Sequence, residues 1–405
     1  MARFNNQKGT ELIWQGKYDE QGRLSLPERV SWPFQTIETV NESKFDREKQ
    51  RDLFYQKNET GTWRNRLIWG DNKYIMSSLL EEFAGKIDLI YIDPPFATGA
   101  DFSYKADIGD AEAVKEPSMI EEIAYRDTWG KGMDSFLQMM FERLIFMKDL
   151  LSEGGSIYIH LDWHVGHYVK IIMDEVFGRE SFVNEIIWYY GERQQPWISK
   201  YNSKHDVIYF YTRSNNYIFN MQFKPYTQEY INQFFNKFDK QGRRYQSTDG
   251  GKGKERYIRY LDECKGVAMD SVWDDIKMIG NISMSNERMN FPTQKPEKLL
   301  ERIIFTSSDA SGLVADFFCG SGTTGAVAEK LGRRWIMSDL SRFAIQTTRK
   351  RLLQIENCSP FIIQNLGKYE RQYWYNTFGT EGINKRQEYI NTILKFYKAQ
   401  PVTGF

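Results

Sequence analysis

Asp93-Pro94-Pro95-Phe96 closes the apolar run Ile87–Ile92. Two consecutive prolines fix the backbone and withhold two amide donors, so neighbouring carbonyls turn outward without an internal partner. A carboxylate, a rigid carbonyl and an aromatic ring thus gather at the carboxyl end of a strand, where open α/β sheets place their sites. The set suits attack by an exocyclic purine amine, a poor nucleophile because its lone pair is delocalised into the ring. The Asp93 side chain and the Pro94 carbonyl can each accept one N–H, draw the nitrogen towards tetrahedral geometry and aim its lone pair at a methyl on a sulfonium. Phe96 can stack on the base. Positioning and electrostatics are what such a displacement requires, and no metal is called for. The bland alternative is a strand end with a proline stop, against which the flanking acid, the ring and a second motif all weigh.

That second motif is Asp316-Phe317-Phe318-Cys319-Gly320-Ser321-Gly322-Thr323-Thr324-Gly325, which follows an apolar strand and opens a helix. Glycines there permit a tight turn and let backbone amides approach a ligand closely. Asp339 ends the next strand, 19 residues after Gly320, where a carboxylate can hold both hydroxyls of a ribose. Taken alone, the pattern also matches a dinucleotide fingerprint and would fit a dehydrogenase. It calls for a cofactor that contains adenosine.

Strand must alternate with helix to hold these turns. The sequence reads as strand 66–71, helix 72–85 and strand 86–96, then helix 133–151, strand 155–161 and helix 164–178. Strands at 184–191 and 205–212 suggest an antiparallel hairpin at one end of a parallel sheet. A helix over 292–308, with Pro296 in its first turn, leads to strand 313–318, the glycine turn, helix 326–332, strand 333–339 and helix 342–356. The expected organisation is an arm (1–65), a catalytic half (66–214) carrying a long loop (97–132), a target-recognition region (215–290), a cofactor half (291–360) and a C-terminal extension (361–405).

The 405 residues carry 54 Lys+Arg and 54 Asp+Glu, so overall charge does not point to nucleic acid. Locally it does: residues 191–260 hold 13 Lys/Arg against 6 Asp/Glu, interleaved with tyrosines. Arg243, Arg244, Lys252 and Lys254 are candidates there for base edges or phosphates. A base inside a duplex must be extruded before its amine can react, and Tyr104 and Arg126 in the long loop are candidates for that task. His160, His164 and His167 invite a metal reading, but no cysteine or carboxylate pattern completes a zinc signature, so structural histidines are favoured. Three scattered cysteines fit a reducing cytosol, and no signal-like or membrane-spanning run opens the chain. A soluble cytoplasmic protein is expected.

With both motifs in view, the chain resembles the amino-methyltransferases of DNA in the permuted order called the β class. The nearest likeness is to modification subunits of type III restriction–modification systems and their stand-alone relatives. Their (D/N/S)PP(Y/F) motif reads DPPF here and their FxGxG motif reads Phe318 to Gly322. Asp before the prolines is typical of adenine-N6 enzymes, Ser of cytosine-N4 enzymes. The likeness covers roughly residues 60–360, including GDN (70–72), LDWH (161–164), FVNEIIW (182–188) and TQKPEKLLERII (293–304). It departs at Phe317, where Pro is frequent, and in a short segment before TQKP. Larger relatives continue beyond the end of this chain, so a compact or a truncated version is expected.

The resemblance implies a circularly permuted, doubly wound Rossmann-like sheet with a small target-recognition insertion. It implies S-adenosyl-L-methionine held by Asp316, Phe318, Gly320, Ser321, Gly322, Thr323 and Asp339. The strand ending at Asp71 would lie between Asp339's and Asp93's, letting Asp71 meet the cofactor's adenine amine, and Lys295 would lie at the methionine end. Asp93, Pro94, Pro95 and Phe96 would hold a flipped adenine for direct transfer. Implied partners are double-stranded DNA, a cognate restriction endonuclease subunit and a second copy of the chain, with no membrane. The rival readings are cytosine-N4 methylation and a non-catalytic DNA-binding or specificity subunit.

Overall fold

The computed structural model describes residues 10–41, 63–95, 104–108, 111–115, 132–191, 199, 201–248, 257–279, 287–289, 291, 293–367 and 369. Two compact units emerge, one of residues 1–218 with 273–405 and one of Phe219–Val272.

In the first unit, β1 (Gln35–Val40) and β2 (Asn65–Trp69) precede α1 (Asn72–Phe83), which Asp71 caps by accepting from the Lys73 amide at 2.8 Å. Strand β3 (Ile87–Ile92) is buried along nearly its whole length, as a strand covered on both faces must be. A hairpin of β4 (Tyr104–Ile108) and β5 (Ala111–Lys115) stands within the long segment after it. Then come α2 (Met133–Leu150), β6 (Leu151–Leu161), α3 (Gly166–Phe177), β7 (Phe182–Tyr189) and β8 (His205–Thr212).

The second unit is built of short pieces: β9 (Phe223–Lys224), α4 (Gln228–Phe234), β10 (Lys237–Phe238), β11 (Arg244–Thr248), β12 (Tyr257–Tyr260) and β13 (Val267–Ala268). Strands β10, β11 and β12 form an antiparallel sheet, and β9 pairs with β13. Elements this short explain why periodicity fades here. The unit lies inside the 215–290 segment read as the insertion.

Trp273, in β14 (Val272–Trp273), returns to the first unit. Next are α5 (Glu297–Ser307), β15 (Leu313–Asp316), α6 (Thr323–Lys330), β16 (Arg334–Asp339), α7 (Arg342–Leu353) and β17 (Phe361–Asn365). Pro296 sits just before α5, not inside its first turn, and α6 starts at Thr323, three residues earlier than its alanines suggest.

The main sheet runs β1-β17-β2-β16-β15-β3-β6-β8-β7-β14, parallel from β17 through β6 and antiparallel where β8 meets β6 and β7. This is the expected α/β architecture with its hairpin at one end. Helices α1, α2 and α3 cover one face through residues such as Leu79, Met140 and Met173. Helices α5, α6 and α7 cover the other through Leu300, Val327 and Ile345.

Two expectations change. Strand β2 lies outside β16, not between β16 and β3. Strand β15 takes the inner place because it pairs in parallel with both, Ala315 opposite Ile336 on one edge and opposite Ile90 on the other. The sheet also reaches beyond the segment from 66 to 360, since β1 and β17 pair antiparallel at its edge. The alternation of β1 is weak because an edge strand buries little, and three of its six residues are exposed.

The order fixes the site. From β3 the chain crosses by α2 to β6 in one direction, and from β15 it crosses by α6 to β16 in the other. The carboxyl ends of these two neighbours form a topological switch point, where such sheets open a crevice.

Candidate active site

Asp93 leaves the end of β3 and the glycine turn leaves the end of β15. Both line a single open cavity, together with Tyr91, Thr293, Lys295, Leu300, Asp316, Phe318, Cys319, Ser321, Thr323 and Thr324. Pro94 is buried and Pro95 half-buried, while Phe96 lies outside the described residues.

The turn is held from three sides. The Gly320 amide donates to Asp339 Oδ2 at 2.9 Å, and the Gly320 carbonyl accepts from Thr348 Oγ1 of α7 at 3.1 Å. Asp316 accepts from the Phe318 amide at 2.9 Å and from Thr324 Oγ1 at 2.6 Å. Burial pushes the Asp316 carboxyl up to about 7, the charges of Asp93 and Asp339 add to it, and the two hydrogen bonds oppose it. Phe317, the departure from the usual proline, is buried beneath the turn, and its carbonyl accepts from Asn72 Nδ2 at 2.8 Å.

Gly322 adopts φ +74° at the head of α6, and a Cβ there would come within 2.5 Å of Thr348 Cγ2. The left-handed backbone and the close wall both require glycine. Gly322→Ala is expected to cost about 2–3 kcal/mol of stability from backbone strain and overpacking together. Urea unfolding measures the loss, and Thr348→Ala in the same chain should recover only a part of it, since the Cβ at position 348 would still lie 2.8 Å from the new methyl.

This cradle fits a nucleoside cofactor. Gly320 also turns a side-chain-free face to its surroundings, where a Cβ would meet the Phe291 ring at 3.3 Å. Asp339 Oδ1 accepts from the Ser341 amide at 2.8 Å, so the carboxylate is held against the turn through both oxygens.

Other site residues fall less simply. Lys295 Nζ is ion-paired with Asp93 Oδ2 across the cavity. Asp71 is buried, accepts from Arg143 Nη2 at 2.8 Å and caps α1. Two strands, β16 and β15, separate its strand from that of Asp93, where the resemblance implied a place between Asp339's strand and Asp93's.

In the second unit Arg243 makes hydrogen bonds to Asp262 and Glu263, while Arg244 reaches Asn232 Oδ1 at 3.3 Å. Lys252, Lys254 and Arg126 lie outside the described residues, and Tyr104 begins β4.

Several groups gave no readable sequence signal. Arg351 is buried on α7 and donates to Thr323 Oγ1 at 2.8 Å and to Glu297 Oε1 at 2.9 Å, yet it reads as one more basic residue in RKR. Behind the cavity, Tyr91 Oη meets His160 Nδ1 at 3.0 Å, and His160 Nε2 meets Asp206 Oδ2 at 2.9 Å. Burial would raise Asp206, but the His160 hydrogen bond and the charges of His160 and Lys295 outweigh it and hold the carboxyl below its ordinary value. His160 is therefore engaged through both ring nitrogens, and His164 contacts Asp162. Among the described residues no group of three or more His, Cys, Asp or Glu is placed to hold a metal ion.

The family model described as DNA methylase matches residues 87–350, which span the cavity and every element that lines it. The chain belongs to that DNA methylase family. The methylase is 28% identical over 330 residues to the type II methyltransferase M.EcaI of Enterobacter cloacae, covering 71% of this chain and 69% of that one. It is 25% identical to the StyLTI Mod subunit, a type III restriction-modification enzyme of Salmonella typhimurium, covering 64% of this chain but only 49% of the relative. To the DNA adenine methyltransferase YhdJ of Escherichia coli it is 27% identical, over 77% of this chain and 90% of the other. The methylase thus spans about half of the type III subunit.

Proposed function

We propose that this methylase transfers the methyl group of S-adenosyl-L-methionine to the N6 amine of a flipped adenine in a specific sequence of double-stranded DNA. One observation carries the proposal: Asp93 and the Gly320 turn border the same cavity, at adjacent strand ends. The relatives' names supply the restriction–modification setting, and on that likeness the enzyme would protect DNA beside a cognate endonuclease subunit and act as a dimer.

When bound, the cofactor supplies an electrophilic methyl on a sulfonium. Gly320, Ser321, Gly322 and Thr323 offer it a close backbone, with Asp316 and Phe318 beneath and Asp339 for the ribose. Asp93 and the Pro94 carbonyl accept the two N–H bonds of the amine and fix its lone pair in line with the methyl. Carboxylates at the cavity also favour the cationic sulfur and the positive charge that develops on the amine. Extrusion of the base falls to the segment after Phe96, with Tyr104 and Arg126. Sequence reading falls to the 215–290 region, with Arg243, Arg244, Lys252 and Lys254 on bases or phosphates.

Expression in a host free of other methylases should yield N6-methyladenine, at one sequence motif, in nucleoside mass spectrometry and long-read sequencing. N4-methylcytosine in the digest would move the assignment to cytosine, and no modified base would defeat it.

A further inference from the structure

Lys295 is tied down at both ends, by partners from the two halves of the site. Its carbonyl accepts from Thr323 Oγ1, in the first turn of α6, at 3.1 Å. Thr323 in turn accepts from the buried Arg351, which also holds Glu297 at the start of α5. At the other end, the Lys295 ammonium pairs with Oδ2 of Asp93, both side chains being largely withdrawn from solvent. A chain of contacts therefore runs Arg351–Thr323–Lys295–Asp93, from α7 through the first turn of α6 to the catalytic acid, and its last link alone joins residues 202 apart in sequence.

We infer that Lys295 is a positioning residue for Asp93. It fixes the carboxylate through Oδ2 so that Oδ1 faces the amine, and it does not serve chiefly as a ligand for the methionine end of the cofactor. The inference rests on the methyltransferase reading above. Its physical basis is that a carboxylate on a strand end keeps free χ rotation unless something holds it. A group misplaced by about 1 Å can cost a hundredfold in rate. An ammonium whose own backbone is anchored to α6 is such a hold, and it sets Asp93 relative to the turn that carries the cofactor. In this role Lys295 acts on the reaction through Asp93.

The test separates two roles by two readouts. Lys295→Met should bind S-adenosylhomocysteine within about threefold of wild type by calorimetry, while kcat for methyl transfer falls roughly a hundredfold. Lys295→Arg, which can still reach the carboxylate, should restore part of kcat. In an Asp93→Asn chain, whose amide cannot form the ion pair, adding Lys295→Met should cost less than about threefold, because coupled partners are not additive. The inference is overturned if Lys295→Met weakens S-adenosylhomocysteine tenfold or more, if its kcat is unchanged, or if it costs as much in the Asp93→Asn chain as in wild type. Lys295→Gln, with folding checked by circular dichroism, takes its place should the methionine variant not fold. Failure of the underlying reading looks different, for the wild type itself would then neither bind S-adenosylhomocysteine nor methylate DNA.

Discussion

Asp93→Ala is expected to lower methyl transfer by about 10³-fold or more while S-adenosylhomocysteine binding persists, a loss at the upper end of what one preorganised polar group contributes. In the proposed reaction the carboxylate does two things that alanine cannot. It accepts an N–H of the amine, which localises the lone pair, and it faces the positive charge that grows on nitrogen as the methyl arrives. Neither interaction is as strong with the ground-state base, so the loss should fall on kcat more than on KM for DNA. Asp93→Asn keeps an acceptor oxygen without the charge and should lie between alanine and wild type. Radiolabel transfer and calorimetry on the same preparations check both halves. Undiminished transfer by Asp93→Ala would remove Asp93 from the site and the proposed mechanism with it.

Both corners of this site were readable because each is local. A proline pair after an apolar run, and glycines between a strand and a helix, impose their geometry through backbone constraints that act within a few residues. Their adjacency is not local. It depends on β15 pairing with β3 across more than two hundred residues, and only the resemblance supplied it in advance. Where that inference went one strand further it failed: β2 and β15 are both short apolar strands, and nothing in RLIW or LVAD says which is central.

Side-chain partnerships were the least legible. Arg143 on α2 and Arg351 on α7 sit in amphipathic helices where a basic residue is ordinarily a solvated one, yet both are buried. Each is fixed by a partner distant in sequence, Asp71 for the first and Glu297 for the second. Periodicity assigns such residues to a helix and cannot say what stands opposite. His160 is a similar case: its strand was clear, but its place between Tyr91 and Asp206 follows from the order β3-β6-β8.

The Asp71–Arg143 pair leads to the second large effect, on stability. Arg143 places Nη2 on Asp71 and Nε on Asn72 Oδ1, and Asn72 continues to the Phe317 carbonyl below the glycine turn. Side-chain exposure is 4% for Arg143 and 5% for Asp71, so a lone Asp71 carboxylate would be stranded away from water. Arg143→Met should therefore destabilise the protein by about 3–5 kcal/mol, the usual cost of breaking a buried pair from one side. That is a large share of the roughly 5–15 kcal/mol that holds a typical domain together. Asp71→Asn should rescue much of it in the double variant, since the amide removes the stranded charge and its oxygen can still cap α1. Urea unfolding without added cofactor measures both chains. If Asp71 served mainly to bind the cofactor's adenine, Arg143→Met would leave that unfolding curve in place and weaken S-adenosylhomocysteine instead. A drop in stability that Asp71→Asn reverses assigns the pair to the fold, where it joins α2 and the β2–α1 junction to the strand end from which the glycine turn departs.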